Sequence, residues 1–165
     1  MLIQRGYDDI VETEIGEGDE SELVVIAEKN GKKIVVFPII VQKYDKKNFQ
    51  RTMFLMNNIG TNHSIVVYDS VTPPTKKMIE NASNIDNVIE GYLSQELMYN
   101  PTKHRLVPKH QLLGDSEAEE FVRLYGKNWP ILQKNDVIAR FYGFQVGDIV
   151  KVVRKNGFIA YRIVA

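Results

Sequence analysis

The chain has 165 residues, 44% hydrophobic and 25% charged, with 21 basic residues matching 21 acidic ones and no cysteine. That composition is ordinary for a globular protein; it excludes disulfide scaffolds, thiolate catalysis and cysteine-ligated zinc. No apolar run reaches the roughly 18–20 residues of a membrane-spanning helix, and Met1-Leu2-Ile3 leads into an acidic stretch rather than a signal peptide, so an intracellular protein without membrane contact is expected.

Balanced total charge hides segregation along the chain. Residues 8–22 carry Asp8, Asp9, Glu12, Glu14, Glu17, Asp19, Glu20 and Glu22 without a cation, and with Gly16 and Gly18 inside they read as a mobile loop. Residues 29–51 carry Lys29, Lys32, Lys33, Lys43, Lys46, Lys47 and Arg51 against Asp45 alone; such blocks set up local fields that net charge does not report.

In chain order, residues 23–27 and 33–40 read as strands around Lys29-Asn30-Gly31, a hairpin signal. Residues 45–57 read as an amphipathic helix with Phe49, Met53 and Met56 on one face. Residues 64–68 form a short apolar run bounded by polar turns, expected as a buried strand. Thr72 caps a helix with Pro73 at its first position, where a missing N–H does no harm, and residues 85–93 supply a further strand. The order β-β-α-β-α-β predicts an α/β unit over residues 1–100, a small mixed sheet with helices. Asn100-Pro101-Thr102 is the boundary, because Pro101 biases Asn100 away from helix.

Beyond it, residues 106–113 read as extended. Ser116 and Glu119 have capping-box spacing, Phe121, Leu124 and Tyr125 give that helix one apolar face, Gly126 stops it, and Trp129-Pro130 closes the core. Asn135 or Asp136 caps the next helix, with Ile138, Phe141 and Tyr142 on one face and Gly143 as its stop. Gly147 marks a turn. Residues 149–154 and 158–164 are β-rich runs flanking Lys155-Asn156-Gly157, and Asn-Gly favours the positive φ values of a type I′ turn. Residues 101–165 are therefore expected to form a small α+β unit ending in a β-hairpin. So small a core without disulfide or metal buries little apolar area, which favours docking on a larger partner.

Catalytic readings fail residue by residue. A metal-dependent nuclease would need a carboxylate entering one strand and Glu-x-Lys on the next. Glu22 begins the first strand, but residues 34–39 carry neither acid nor lysine, and Glu28-Lys29 lacks the intervening residue. Of His63, His104 and His110, the last two lie six apart in an extended segment without further zinc ligands nearby. Neither a phosphate loop nor a nucleophile elbow is present. No catalytic residue, metal or cofactor is expected.

The order of residues carries a resemblance. Asp136, Ala139-Arg140, Tyr142-Gly143, Gly147, Val150-Lys151, Arg154 and Tyr161-Arg162 follow the pattern of the fifth-subunit family of multisubunit RNA polymerases, which has eukaryotic and archaeal members, the archaeal one without the upstream domain. His104-Arg105-Leu106-Val107-Pro108-Lys109-His110 resembles that family's His-x-Leu-Val-Pro-x-His segment. Gln95-Glu96-Leu97, Val71-Thr72-Pro73-Pro74 and Met1 to Tyr7 resemble the eukaryotic member, the last of these the end of its first helix. Val137 stands where the family usually has proline, and Lys155-Asn156-Gly157 replaces a longer loop. With most of the leading helix missing, the chain resembles a trimmed eukaryotic-type subunit, with a large DNA virus as the expected source.

The resemblance implies a non-catalytic subunit of a DNA-directed RNA polymerase. Residues 101–165 would be an assembly domain docking on the largest subunit, among other polymerase subunits. Residues 1–100 would be a jaw near downstream duplex DNA, touched weakly. The implied interface comprises His104, Pro108, His110, Asp136, Arg140, Tyr142, Arg154, Tyr161 and Arg162, whose arginines suit bidentate bonds to carboxylates; internal pairing with Asp136 or Asp148 is the alternative. The implied DNA-proximal turn is Thr72-Pro73-Pro74-Thr75-Lys76-Lys77, where a helix start can present N–H groups to phosphate; an ordinary proline-initiated cap is the alternative. The location would be the nucleus if the source is cellular, or the virus factory, host cytoplasm or virion if viral. A free-standing nucleic-acid-binding regulator is the second class; a pI near 6.8 disfavours it unless the basic patches converge.

Overall fold

In the computed structural model, which describes residues 1–16, 21–38, 43–83, 87–126 and 128–165, the chain divides into two units. One is Leu2–Tyr99; the other is Asn100–Ala165 together with Met1. The first carries β1 (Val11–Ile15), β2 (Glu22–Lys29), β3 (Lys32–Pro38), α1 (Lys46–Ile59), β4 (His63–Tyr68), α2 (Pro73–Ala82), β5 (Val88–Leu93) and the one-turn α3 (Ser94–Leu97). The sheet order is β1-β2-β3-β4-β5, antiparallel across β1, β2 and β3 and parallel across β3, β4 and β5. Parallel neighbours need crossovers, and α1 and α2 supply them. Phe49, Leu55 and Met56 of α1 and Ile79 of α2 bury against Val24, Val35, Phe37 and Val66 of the strands.

Asp45 caps α1 by accepting the Asn48 N–H at 3.0 Å, and Gly60 closes it at φ 71°. The strand read over residues 33–40 is seen to Pro38, and the one read over 85–93 from Val88; residues 39–40 and 85–86 lie outside the described ones. One expectation is corrected: the acidic stretch is not simply a loop, because Val11–Ile15 pairs with β2. Ile15 packs on the core while Glu12 and Glu14 stay exposed. The glutamates are thus the solvent side of an alternating edge strand, which also guards that edge against further pairing.

The second unit carries β6 (Lys109–Leu112), α4 (Asp115–Tyr125), β7 (Ile131–Leu132), α5 (Val137–Tyr142), β8 (Ile149–Val153) and β9 (Ile159–Val164), in sheet order β6-β8-β9-β7. Its core gathers Leu132, Ala139, Phe144, Val150, Val152 and Val164. Asp136, not Asn135, caps α5, accepting the Ile138 N–H at 2.8 Å. The α4 start differs from the expected box. Gly114 is the cap and Glu117 accepts its N–H at 3.2 Å, so Ser116 lies inside the helix. Nor do Leu124 and Tyr125 bury; both are exposed. Trp129 closes no core either. It packs on Phe121, and more loosely on Tyr161, with its indole N–H donated to the Gly126 carbonyl.

The two Asn-Gly pairs fold differently. Asn30 (φ 51°) and Gly31 (φ 73°) form a two-residue turn between Lys29 and Lys32, as a type I′ turn requires. Between β8 and β9 only Gly157 has positive φ. There the Gly157 N–H bonds Arg154 O and the Arg154 N–H bonds Phe158 O, leaving a three-residue loop. That corrects the expected I′ turn at Asn156-Gly157. A two-residue loop would slip the register by one and face Val152 with Tyr161. The observed register sets Val152 opposite Ala160 and Val150 opposite Arg162, keeping the apolar set on one face.

Candidate functional site

On that face of the second unit, β8 and β9 floor an open groove of about 720 Å³. Leu132, Ile138, Val152 and Ala160 supply apolar lining, and Arg105, Arg154, Lys155 and Arg162 supply cations. Alternation along the strands explains the grouping: Val152 and Arg154 share a side of β8, Ala160 and Arg162 the matching side of β9, and His110 pairs opposite Val152.

Five of the nine implied interface residues converge here: Pro108, His110, Asp136, Arg154 and Arg162. The His110 Nδ1 lies 2.9 Å from the Pro108 carbonyl, and burial, only partly offset by that bond, pushes its pKa down. With a neutral imidazole, the groove's charge is that of Arg105, Arg154, Lys155 and Arg162 against the single carboxylate Asp136. Arg162 donates to the Ile131 carbonyl at 3.1 Å, which holds it at the wall. Arg154 lies over the Phe158 ring at 5.8 Å and is exposed.

The other four do not line the groove. Tyr161 follows Ala160 by one residue, so it turns to the opposite sheet face and packs on Phe121 at 4.3 Å. Tyr142 stacks on Phe144 beside the core. His104 is exposed and accepts the Leu106 N–H at 3.3 Å, and Arg140 is half-buried on α5 outside the lining. Arg105, Leu106 and Lys155 were missed as site residues, because neither loop has a period from which a side could be read.

In the first unit, Thr72 caps α2. Its Oγ1 accepts the Thr75 N–H at 3.3 Å and lies 2.6 Å from the Thr75 hydroxyl. Thr75 is only 1% exposed, so it is withdrawn from the DNA-proximal set: its hydroxyl is spent inside the cap. Pro73, Pro74, Lys76 and Lys77 remain exposed and Thr72 is half-buried. Thr72→Ala is expected to destabilise this unit by about 1 kcal/mol, measured by chemical denaturation; no change would mean that Pro73 alone sets the helix start.

A buried polar cluster escaped the sequence reading altogether. Within Met1 to Tyr7 the structure has a single 3-10 turn, Ile3–Arg5, closed by Gly6 at φ 82°. From it the Arg5 guanidinium makes two 2.7 Å bonds to the Glu90 carboxylate, which also receives Tyr92 at 3.1 Å and His63 at 2.8 Å. Burial alone would raise the Glu90 pKa; the His63 and Arg5 hydrogen bonds outweigh it and hold the carboxyl down to about 2. The Lys29 ammonium caps the Arg5 carbonyl at 2.6 Å. Every polar group there has a partner, which marks a structural clamp. Glu22, the first carboxylate weighed for a nuclease, is instead ion-paired with Arg51.

A cation-rimmed apolar groove is thus the chief surface feature of this small α+β unit. Residues 99–164 match the family model described as RNA polymerase Rpb5, C-terminal domain. A protein of Invertebrate iridescent virus 6 with the provisional name DNA-directed RNA polymerase subunit 454R is 28% identical over 164 residues, covering 88% of each chain. The Dictyostelium discoideum subunit rpabc1 of DNA-directed RNA polymerases I, II and III is 36% identical over 107 residues, 60% of this chain and 54% of that one. The Caenorhabditis elegans subunit RPABC1 is 34% identical over 107 residues, 61% of this chain and 50% of its own. The chain thus spans most of the viral relative and about half the length of the cellular ones.

Proposed function

We propose that this chain is a non-catalytic subunit of a DNA-directed RNA polymerase, with catalysis belonging to the assembled complex. Residues 101–165, ending in the β8–β9 hairpin, are its assembly domain and dock on the largest subunit. Residues 1–100 are a jaw held near downstream duplex DNA, with the exposed part of the α2 turn toward it. One observation carries the reading: the Rpb5 C-terminal match over residues 99–164 spans the whole groove that gathers Pro108, His110, Asp136, Arg154 and Arg162. Arginines rimming an apolar floor suit a partner segment that pairs carboxylates with an apolar anchor. A polymerase subunit works inside the cell, in the nucleus for a cellular enzyme and in the virus factory, host cytoplasm or virion for a viral one. Purification of the tagged chain from its native source is expected to recover the two large polymerase subunits; their absence from a stoichiometric preparation would overturn the proposal.

A further inference from the structure

Two lysine groups far apart in sequence meet at one edge of the first unit. Tyr44, just before α1, forms a bridge with Val71, just before α2: the Tyr44 N–H bonds Ser70 O at 2.8 Å and the Thr72 N–H bonds Tyr44 O at 3.2 Å. The caps Asp45 and Thr72 therefore sit side by side, and both helices leave from the carboxyl ends of the parallel strands. This joins Lys43, Lys46 and Lys47 to Lys76 and Lys77, all five exposed. The nearby acids are engaged: Asp45 accepts the Asn48 N–H and Asp69 the Ser94 hydroxyl, while Glu80 lies a turn further along α2. The base is rigid, because Tyr44 is fully buried, stacks on Tyr68 at 5.4 Å and donates its hydroxyl to Thr52 at 2.9 Å.

We propose that the α1 lysines Lys43, Lys46 and Lys47 form one continuous phosphate-binding surface with Lys76 and Lys77, which grips the backbone of duplex DNA without reading its sequence. This deepens the DNA-facing reading of the α2 turn given above and rests on it for the identity of the polyanion. Two features select the ligand. Five clustered lysines outnumber the three carboxylates beside them, Asp45, Asp69 and Glu80, and with the positive ends of two helix dipoles behind them give a net positive local field despite the neutral chain. The one aromatic among residues 43–47 and 72–77, Tyr44, is buried, so bases have nothing to stack on and contact falls to phosphates. The dense charge of a duplex favours it over a single strand.

The test is a salt titration of the full chain with a short labelled duplex, comparing Lys46→Gln/Lys47→Gln, Lys76→Gln/Lys77→Gln and a control, Lys32→Gln/Lys33→Gln. The control pair lies at the β2–β3 turn, at the opposite ends of the strands. Each lysine pair at the helix starts should lower the slope of log affinity against log salt by about 2, and weaken binding roughly tenfold at low salt; the control should leave both near the unmutated values. An effect from Lys76 and Lys77 without one from Lys46 and Lys47 overturns the joint surface and leaves the α2 turn standing. Equal loss in the control, tighter binding to a single strand, or no salt-dependent binding by the unmutated chain also overturns it. Recovery of polymerase subunits should be unaffected by these substitutions, so failure of the subunit reading would show in that assay alone.

Discussion

Glu90→Gln is expected to destabilise the Leu2–Tyr99 unit by about 3–5 kcal/mol, the range for removing one partner of a buried ion pair. The substitution keeps the shape but leaves the Arg5 guanidinium, whose side chain is 3% exposed, without its counter-charge. Adding Arg5→Met should recover part of the loss, since the stranded charge goes with it. The readout is amide hydrogen exchange at β4 and β5, because the single tryptophan, Trp129, lies in the other unit. Unchanged exchange in Glu90→Gln would mean that the clamp carries no stability. Acid should act in the same direction. The folded carboxyl is depressed from 4.5 to about 2, so its stabilisation is complete above about 4.5 and lost as pH falls through about 2. Its full size is roughly 3 kcal/mol by linkage, and protection at β5 should fall over that window.

Arg154→Glu with Arg162→Glu should abolish capture of the large polymerase subunits. If the groove takes carboxylates as proposed, reversing two of its cations sets like charges against each other at several kcal/mol, a loss of roughly 100-fold or more in affinity. Arg162 also bonds the Ile131 carbonyl, so Arg154→Glu alone, at an exposed position, is the variant least able to disturb folding and should still weaken capture. Arg123→Glu, on α4 with its side chain 75% exposed, is the matched control and should capture normally. Equal capture by all three would remove the groove from the interface while leaving the family match over residues 99–164 intact.

Much of the architecture was legible because its signals are local. Thr72 and Asp136 cap the helices expected to follow them, the helix read over residues 45–57 is seen at Lys46–Ile59, and the strand runs follow from apolar periodicity. The candidate site was legible in part. The order of residues pointed to segments that also line the groove but could not sort their side chains. Tyr161 and Arg162 are neighbours in sequence and on opposite faces of the sheet, and which faces the groove depends on strand register.

The sequence by itself determined most of the elements, the absence of disulfide and thiolate chemistry, and the resemblance over residues 99–164, since each is written in composition, short-range pattern or residue order. Only the tertiary structure decided what lies beside what. The same Asn-Gly pair makes a two-residue turn at Asn30-Gly31 and part of a three-residue loop at Lys155-Asn156-Gly157, because burial of Val150 and Val152 sets the second register. Arg5 and Glu90, 85 positions apart, become one buried ion pair. The lysines of α1 and α2 share one edge through the Tyr44–Val71 bridge. Long-range pairing is selected by burial and polar satisfaction across the whole unit, and no window of sequence contains that sum.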